Sequence, residues 1–198
     1  MDKKTETIET YNKSTKALAD KFNKSGARID DIERVFAHFE KNDLNVLEIG
    51  CGNGRDAQEI LKHTKNYLGI DVSEEMIKLA KESLPEAKFV VADIEDYVLP
   101  VNLDIIFAFA SLLHTDKDSL RQILDSAYRA LNPGGIFFIS LKYGGYHEKT
   151  TTDKFGTRTY YFYTPEKIFE LMDKKYKVIY ENIYSLRDQE WFTIILQK

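Results

Sequence analysis

The chain has 198 residues, 43% of them hydrophobic, which suits one α/β domain with a full core. Its net charge of −4 gives no positive potential that would attract a polyanion, so we expect no DNA partner. The chain contains no run of 18 apolar residues, so we expect no membrane partner. A single cysteine, Cys51, excludes an intramolecular disulfide and predicts a cytoplasmic protein.

The first forty residues predict helices before any strand appears. Residues 5–24 are expected to form one helix, and residues 28–40 a second helix with one apolar stripe.

The first strand, predicted over residues 45–50, ends in the most informative stretch of the chain. Residues 46–55 read V-L-E-I-G-C-G-N-G-R, with Gly50, Gly52 and Gly54 at alternate positions and a helix predicted over 54–64. Alternate glycines let the backbone turn sharply and let a ligand lie against the main chain. A dinucleotide fingerprint needs its third glycine at position 55, which is Arg55, so a nicotinamide-dependent oxidoreductase is a weaker alternative.

Two further strands end in acids. Residues 66–71 predict a strand ending in Asp71, 17 residues after Gly54, and residues 88–92 predict one followed by Asp93. A carboxylate at that distance from a glycine turn reaches the hydroxyls of a ribose at the tip of the neighbouring strand.

The rest of the chain continues the alternation of helices and strands. It predicts parallel pairing with right-handed crossovers until a terminal hairpin reverses one strand. The predicted helices are 74–83, 117–131 and 165–174, and the predicted strands are 103–109, 135–141, 176–186 and 190–197.

The segment 143–163 does not fit the repeating unit. It contains a Gly-Gly pair, a threonine-rich stretch and the run R-T-Y-Y-F-Y, and it follows a central strand. It is either a lid over a substrate site or a short edge hairpin, and the sequence favours neither.

The pattern E-x-G-x-G-x-G resembles motif I of the class I S-adenosylmethionine-dependent methyltransferases. The later strands, including the Asn-Pro-Gly-Gly entry to the fifth, extend the resemblance to about residues 8–198. It implies a doubly wound Rossmann-like α/β domain over residues 1–198, with a seven-stranded, mostly parallel sheet whose last strand is antiparallel. Residues 1–40 would supply helices that cap the cofactor.

The resemblance also implies the residues that bind S-adenosylmethionine. Asp71 would hold the ribose hydroxyls, Asp93 would face the adenine amine, and Cys51 would be a small structural residue of the turn. The predicted cofactor-binding residues are Tyr11, Glu48, Gly50, Cys51, Gly52, Asn53, Arg55, Asp71, Val72, Met76, Asp93, Ile94, Phe109 and Ala110.

Methyl transfer from a sulfonium is an in-line displacement that depends mainly on positioning and water exclusion. His114 is the best candidate for a general base, because it follows the fourth strand and histidine as a residue type ordinarily titrates near neutral pH. Trp191 either closes the pocket or belongs to the core, and its position favours the core. No metal is expected, and the predicted substrate-binding residues are Lys142, Tyr143, Tyr161 and Tyr163.

The sequence leaves the methyl acceptor open. Residues 110–114, A-S-L-L-H, lack the Asn-Pro-Pro-Tyr type of run and the Pro-Cys nucleophile of nucleic-acid methyltransferases that act on amino groups or pyrimidine carbon. A small molecule methylated on oxygen or nitrogen is the leading interpretation, and a protein or RNA acceptor is the alternative. A cofactor-binding module without transferase activity also remains open, and a monomer or homodimer is expected.

Overall fold

The structure, a computed structural model, describes residues 1–41 and 43–198, and its centre is a seven-stranded sheet. The strands lie in the order β3-β2-β1-β4-β5-β9-β8, with β9 antiparallel to both neighbours and the pairs from β3 to β5 parallel. The predicted fold, including its reversed last strand, is confirmed. The strands are β1 Val46–Ile49, β2 Tyr67–Asp71, β3 Lys88–Val91, β4 Leu103–Phe109, β5 Leu131–Lys142, β8 Lys177–Leu186 and β9 Gln189–Gln197.

Helices cover both faces of this sheet. One apolar cluster joins it to α6 and α7, and a second joins it to α3, α4 and α5. All seven residues of β4 are buried because that strand is covered on both sides. The helices are α1 Lys3–Lys13, α2 Thr15–Ser25, α3 Ile29–Phe36, α4 Ala57–Ile60, α5 Glu74–Ser83, α6 Lys117–Ala130 and α7 Pro165–Leu171, with a 3-10 turn at Leu112–His114.

The predicted helix over 5–24 is broken at Ser14 into α1 and α2. The Ser14 hydroxyl donates to the carbonyl of Phe155 at 2.6 Å, and the Thr15 hydroxyl donates to the carbonyl of Tyr11, also at 2.6 Å. These contacts fix a bend that the helical periodicity does not encode. The predicted helices over 28–40 and 54–64 are also shorter, since regular α-helix ends at Phe36 and spans only Ala57–Ile60.

The segment 143–163 forms a β-hairpin that is separate from the main sheet. Its strands, β6 His147–Asp153 and β7 Gly156–Phe162, pair only with each other, and one parallel bridge joins Tyr143 to Tyr163. The hairpin packs against α1. It therefore does not extend the edge of the main sheet.

None of the helices within residues 1–41 and 43–198 is long and apolar enough to cross a membrane.

Candidate active site

A cavity of about 550 Å³ opens at the carboxyl ends of the parallel strands, beneath α1, α2 and the β6–β7 hairpin. This is the edge at which open α/β sheets bind ligands, and the volume is that of a small-molecule site. We call the residues of α1 and the hairpin, 3–13 and 147–162, the cover.

The glycine turn after β1 forms part of the cavity wall. Gly50, Gly52 and Gly54 have φ values of 70°, 54° and 80°, which favour glycine. A Cβ on Gly50 would lie 2.2 Å from the Cβ of Ser111, whereas a Cβ on Gly52 would meet no atom within 4 Å. Gly50 therefore permits close packing, and Gly52 presents bare backbone to the open cavity.

Asp71, at the end of β2, lies beside this turn and lines the cavity. One carboxylate oxygen accepts the N–H of Gly52 and the other accepts the N–H of Ser73, each at 2.9 Å. Burial raises the pKa of Asp71, and these backbone donors oppose the rise. The carboxylate thus holds the turn and borders the cavity at the same time.

Asp93 follows β3 and lines the cavity at the next position along the sheet edge. Its carboxylate pairs with Lys4 of α1 at 2.6 Å, and Lys4 also reaches Glu95 at 3.1 Å. The ion pair ties the cover to the acidic side of the cavity.

His114 joins the cover to the end of β4. Its Nδ1 lies 2.6 Å from the carbonyl oxygen of Thr159, so Nδ1 carries the proton and donates it there. Its Nε2 lies 3.0 Å from the hydroxyl of Tyr11, which donates to it. Burial lowers the pKa of His114 to about 4, so the imidazole is neutral near pH 7.

Most of the predicted site residues do line the cavity. They are Tyr11, Gly50, Cys51, Gly52, Asn53, Arg55, Asp71, Val72, Met76, Asp93, Ile94, Phe109, Ala110, His114, Lys142 and Tyr161.

Three predicted residues lie elsewhere. Glu48 is 1% exposed and accepts a hydrogen bond from the Tyr67 hydroxyl at 2.5 Å, because its side chain turns into the layer behind β1. Tyr163 is fully buried and donates to the carbonyl of Thr115 at 2.7 Å, while Tyr143 packs edge-on against Phe192. These corrections reduce the substrate-binding prediction to Lys142 and Tyr161.

Burial and the nearby charge of Asp56 raise the pKa of Glu48. Cys51, predicted to be structural, is buried beside the turn, and burial raises the pKa of its thiol.

Further residues line the cavity beyond the predicted cofactor-binding and substrate-binding sets. Trp191, expected in the core, lies half-buried at the cavity wall because it pairs with Lys142 across β5 and β9. Arg158 and Tyr160 enter from β7, where they lie two residues apart and so share a strand face. The alternation in R-T-Y-Y-F-Y was the only signal for them, and it could not indicate which face turned inward.

Comparison with known proteins adds sequence evidence to this geometry. A sequence profile described as a methyltransferase domain matches residues 46–135. A malonyl-acyl-carrier-protein O-methyltransferase of Ilyobacter polytropus is 32% identical over an alignment of 160 positions that covers 78% of this chain and 50% of that protein. Together with the fold, these matches support a class I S-adenosylmethionine-dependent methyltransferase domain.

Other relatives differ in the acceptors that their names give. A trans-aconitate 2-methyltransferase of an Acidovorax species is 34% identical over 49% of this chain and 38% of its own. A tRNA N(3)-methylcytidine methyltransferase of Schizosaccharomyces pombe is 28% identical over 73% of this chain and 55% of its own. The chain thus spans about half the length, or less, of these curated relatives.

Solved structures share the fold. A 1,6-didemethyltoxoflavin-N1-methyltransferase of Burkholderia thailandensis superposes with a TM-score of 0.76 at 18% identity, covering 96% of this chain and 86% of that one. At this identity the likeness concerns the architecture alone.

Proposed function

We propose that the protein transfers a methyl group from S-adenosylmethionine to an oxygen or nitrogen of a small molecule. The observation that carries this proposal is the cavity, in which the open backbone at Gly52 and the Asp71 carboxylate lie beneath the cover. The matched methyltransferase profile and the relatives named for O-methyl transfer and for trans-aconitate support it.

The residues of the cavity fit this cofactor. Gly52 leaves room for its amino-acid end, Asp71 offers carboxylate oxygens for the ribose hydroxyls, and Asp93 offers an acceptor for the adenine amine. When bound, the cofactor supplies a methyl group on a positively charged sulfur. The remaining predicted cofactor residues that line the cavity complete the wall around it.

The other half of the cavity would hold the acceptor. The cover would exclude water and fix the acceptor's orientation, which are the main requirements of an in-line displacement. His114 stays a candidate base, and its hydrogen bond to Tyr11 gives it a path to the cavity through the phenol. In this path the Tyr11 hydroxyl proton would pass to Nε2 of the neutral imidazole while the acceptor's proton passes to the Tyr11 oxygen, so the phenol is restored and His114 becomes positively charged.

One alternative has specific support, and a second shares the cofactor half of the cavity. The tRNA-modifying relative favours an RNA acceptor, but the net charge of −4 and the cover over the cavity favour a small molecule. A binding module without turnover would share the whole cofactor half of the cavity. We further propose a cytoplasmic enzyme, on the basis of its single buried cysteine, that is a monomer or a homodimer.

Calorimetry tests the cofactor assignment. We expect S-adenosylhomocysteine to bind and NAD not to bind, and the reverse result would contradict the proposal. Transfer of a tritiated methyl group from S-adenosylmethionine to a panel of small acceptors then tests activity. Turnover of transfer RNA alone would favour the RNA alternative, and cofactor binding without any turnover would favour the binding module.

A further inference from the structure

Two of the acids and two of the cations that line the cavity lie towards opposite ends of the sheet edge. Asp71 ends β2 and Asp93 follows β3, on one side of the glycine turn, where Lys4 already pairs with Asp93. The cations Lys142 and Arg158 come from the end of β5 and from β7, on the other side. In the sheet order β3-β2-β1-β4-β5 these are opposite ends of the cavity.

Lys142 and Arg158 border the same aromatic ring. The Lys142 Nζ lies 3.7 Å from the centroid of the Tyr160 ring, and the Arg158 Cζ lies 5.8 Å from it. His114 lies against this ring as well, with the two centroids 4.9 Å apart. The two cations therefore converge beside the candidate base, in the half of the cavity that faces away from the acids.

Arg158 is only partly satisfied by protein groups. It is 5% exposed and one terminal nitrogen pairs with Asp153, but its buried Nε has no hydrogen-bond partner within the described residues. A buried donor left unpaired costs about 1–3 kcal/mol, so such groups usually have a partner in the working state.

Lys142 is surrounded by like charge. Burial and the positive charges of Arg158, Lys149 and Lys21 together lower the pKa of Lys142 to about 8. An anion bound between Lys142 and Arg158 would relieve this repulsion and offer an acceptor to the Arg158 guanidinium, which lines the cavity.

We propose that the acceptor carries a carboxylate, which Lys142 and Arg158 bind beside Tyr160 in the half of the cavity away from Asp71 and Asp93. The inference rests on the proposed function, because it names the class of molecule that occupies the acceptor half. The planar guanidinium and the ammonium offer donors of the kind that a carboxylate accepts.

Trp191 allows the site to be tested without knowing the acceptor. It is the single tryptophan, it lines the cavity and it is the register partner of Lys142, so its fluorescence reports on binding beside Lys142. The titrations would use protein saturated with S-adenosylhomocysteine. The probes are glutarate, hexanoate and benzoate, each compared with its amide.

We expect at least one of these acids to change the fluorescence saturably, while its amide does not. Lys142→Met should weaken the binding of the acid about 10- to 100-fold, the range for losing one charged hydrogen bond. Lys142→Arg, which keeps the charge, should retain most of the affinity. Lys167→Met is the control, because Lys167 is a half-buried lysine on α7 outside the cavity.

Three results would overturn the inference: no saturable change up to about 10 mM of any acid, equal binding of acid and amide, or unchanged affinity in Lys142→Met. A Lys142→Met protein that loses affinity for S-adenosylhomocysteine instead would assign the cations to the cofactor. The two hypotheses fail separately, since failure of the cofactor to bind wild-type protein contradicts the proposed function before any acid is added.

Discussion

Gly50 and Gly52 share a left-handed backbone but face different surroundings, so substitution separates folding from binding. Gly52→Ala should lower the unfolding free energy only by the strain of a left-handed alanine, roughly 1–2 kcal/mol. Its methyl group would enter the cavity and should weaken the binding of S-adenosylhomocysteine at least tenfold. Gly50→Ala should destabilise the fold more, because its Cβ would lie 2.2 Å from the Ser111 Cβ. Denaturant unfolding and calorimetry measure the two effects. A stable Gly52→Ala protein with wild-type affinity would remove the turn from the cofactor site.

Asp71 and Asp93 should contribute unequally to cofactor binding. A charge-assisted bond contributes about 1.5–3 kcal/mol, and each 1.4 kcal/mol is a tenfold change in affinity. We therefore expect Asp71→Asn to weaken the binding of S-adenosylhomocysteine tenfold or more. Asp93→Asn should cost less, since Asp93 is already paired with Lys4 and faces a neutral amine in the proposed site. Calorimetry checks the order, and the opposite order would mean that the ribose and adenine roles are exchanged.

The lowered pKa of His114 gives the proposed base a distinctive pH profile. An ordinary imidazole, with a pKa near 6.5, would lose about tenfold in activity between pH 7 and pH 5.5. With a pKa of about 4, His114 stays unprotonated over this interval, so kcat/KM for a proton-bearing acceptor should not fall on its account. His114→Ala should lower kcat by about 10²–10⁴ at every pH in the range while cofactor affinity stays within a few-fold.

A near-normal kcat in His114→Ala would leave proximity as the whole mechanism. Its hydrogen bonds to Tyr11 and to Thr159 would then serve only to join the cover to β4.

At the scale of elements, α1 and the β6–β7 hairpin behave as one unit. The Thr10 hydroxyl donates to the carbonyl of Thr157 at 2.7 Å, and the Thr159 N–H donates to the Thr7 hydroxyl at 3.1 Å. Lys3 pairs with Glu148 at 2.5 Å on the outside of the same contact. A change that loosens the hairpin should therefore loosen α1 as well.

Gly156→Ala tests this coupling. Gly156 has a φ of 130°, and a Cβ there would lie 2.7 Å from the Thr10 hydroxyl oxygen, so the variant should separate the hairpin from α1. Amide hydrogen exchange should then rise in both elements together. Gly145→Ala is the matched control, because a Cβ at Gly145 would meet no atom within 4 Å. Faster exchange in the hairpin alone would show that the two elements open independently.

If the cover acts as a lid, its amides should exchange faster in the free protein than in a complex with cofactor and acceptor. Equal protection in both states would make the cover a fixed wall of the cavity.

At the scale of the whole molecule, Glu48 should make stability depend on pH. The pKa of Glu48 is raised in the folded state, chiefly by burial. The stability that Glu48 contributes is therefore fully present at pH values below the usual glutamate pKa and is lost as the pH rises through the raised pKa. Each unit by which the pKa is raised lowers the free energy of unfolding by about 1.4 kcal/mol at high pH. Glu48→Gln keeps an acceptor for Tyr67 and should lose less unfolding free energy on going to alkaline pH. The exposed substitution Glu82→Gln is the control, and an identical pH dependence in all three proteins would contradict the assignment.

Local sequence determined the elements and the cofactor side of the cavity. Helix α5 and strand β4 have the residues predicted for them, 74–83 and 103–109, because each combines a clear period with a clear stop. The glycine turn and the acids that follow β2 and β3 needed no distant information, since the ends of parallel strands meet at one edge. The reversed last strand followed from the short turn at 187–189.

The tertiary structure decided which further residues join His114, Lys142 and Tyr161 on the acceptor side. The break at Ser14 depends on Phe155, and the face that β7 turns inward depends on contacts such as the one between Thr10 and Thr157, residues 147 apart in sequence. Hence Arg158, which was not predicted, lines the cavity, Trp191 lies at its wall although its position in the sequence favoured the core, and Tyr163 is buried in the core. A two-residue period shows that a strand has two faces, but only the packing of distant segments selects which of them becomes the wall of the site.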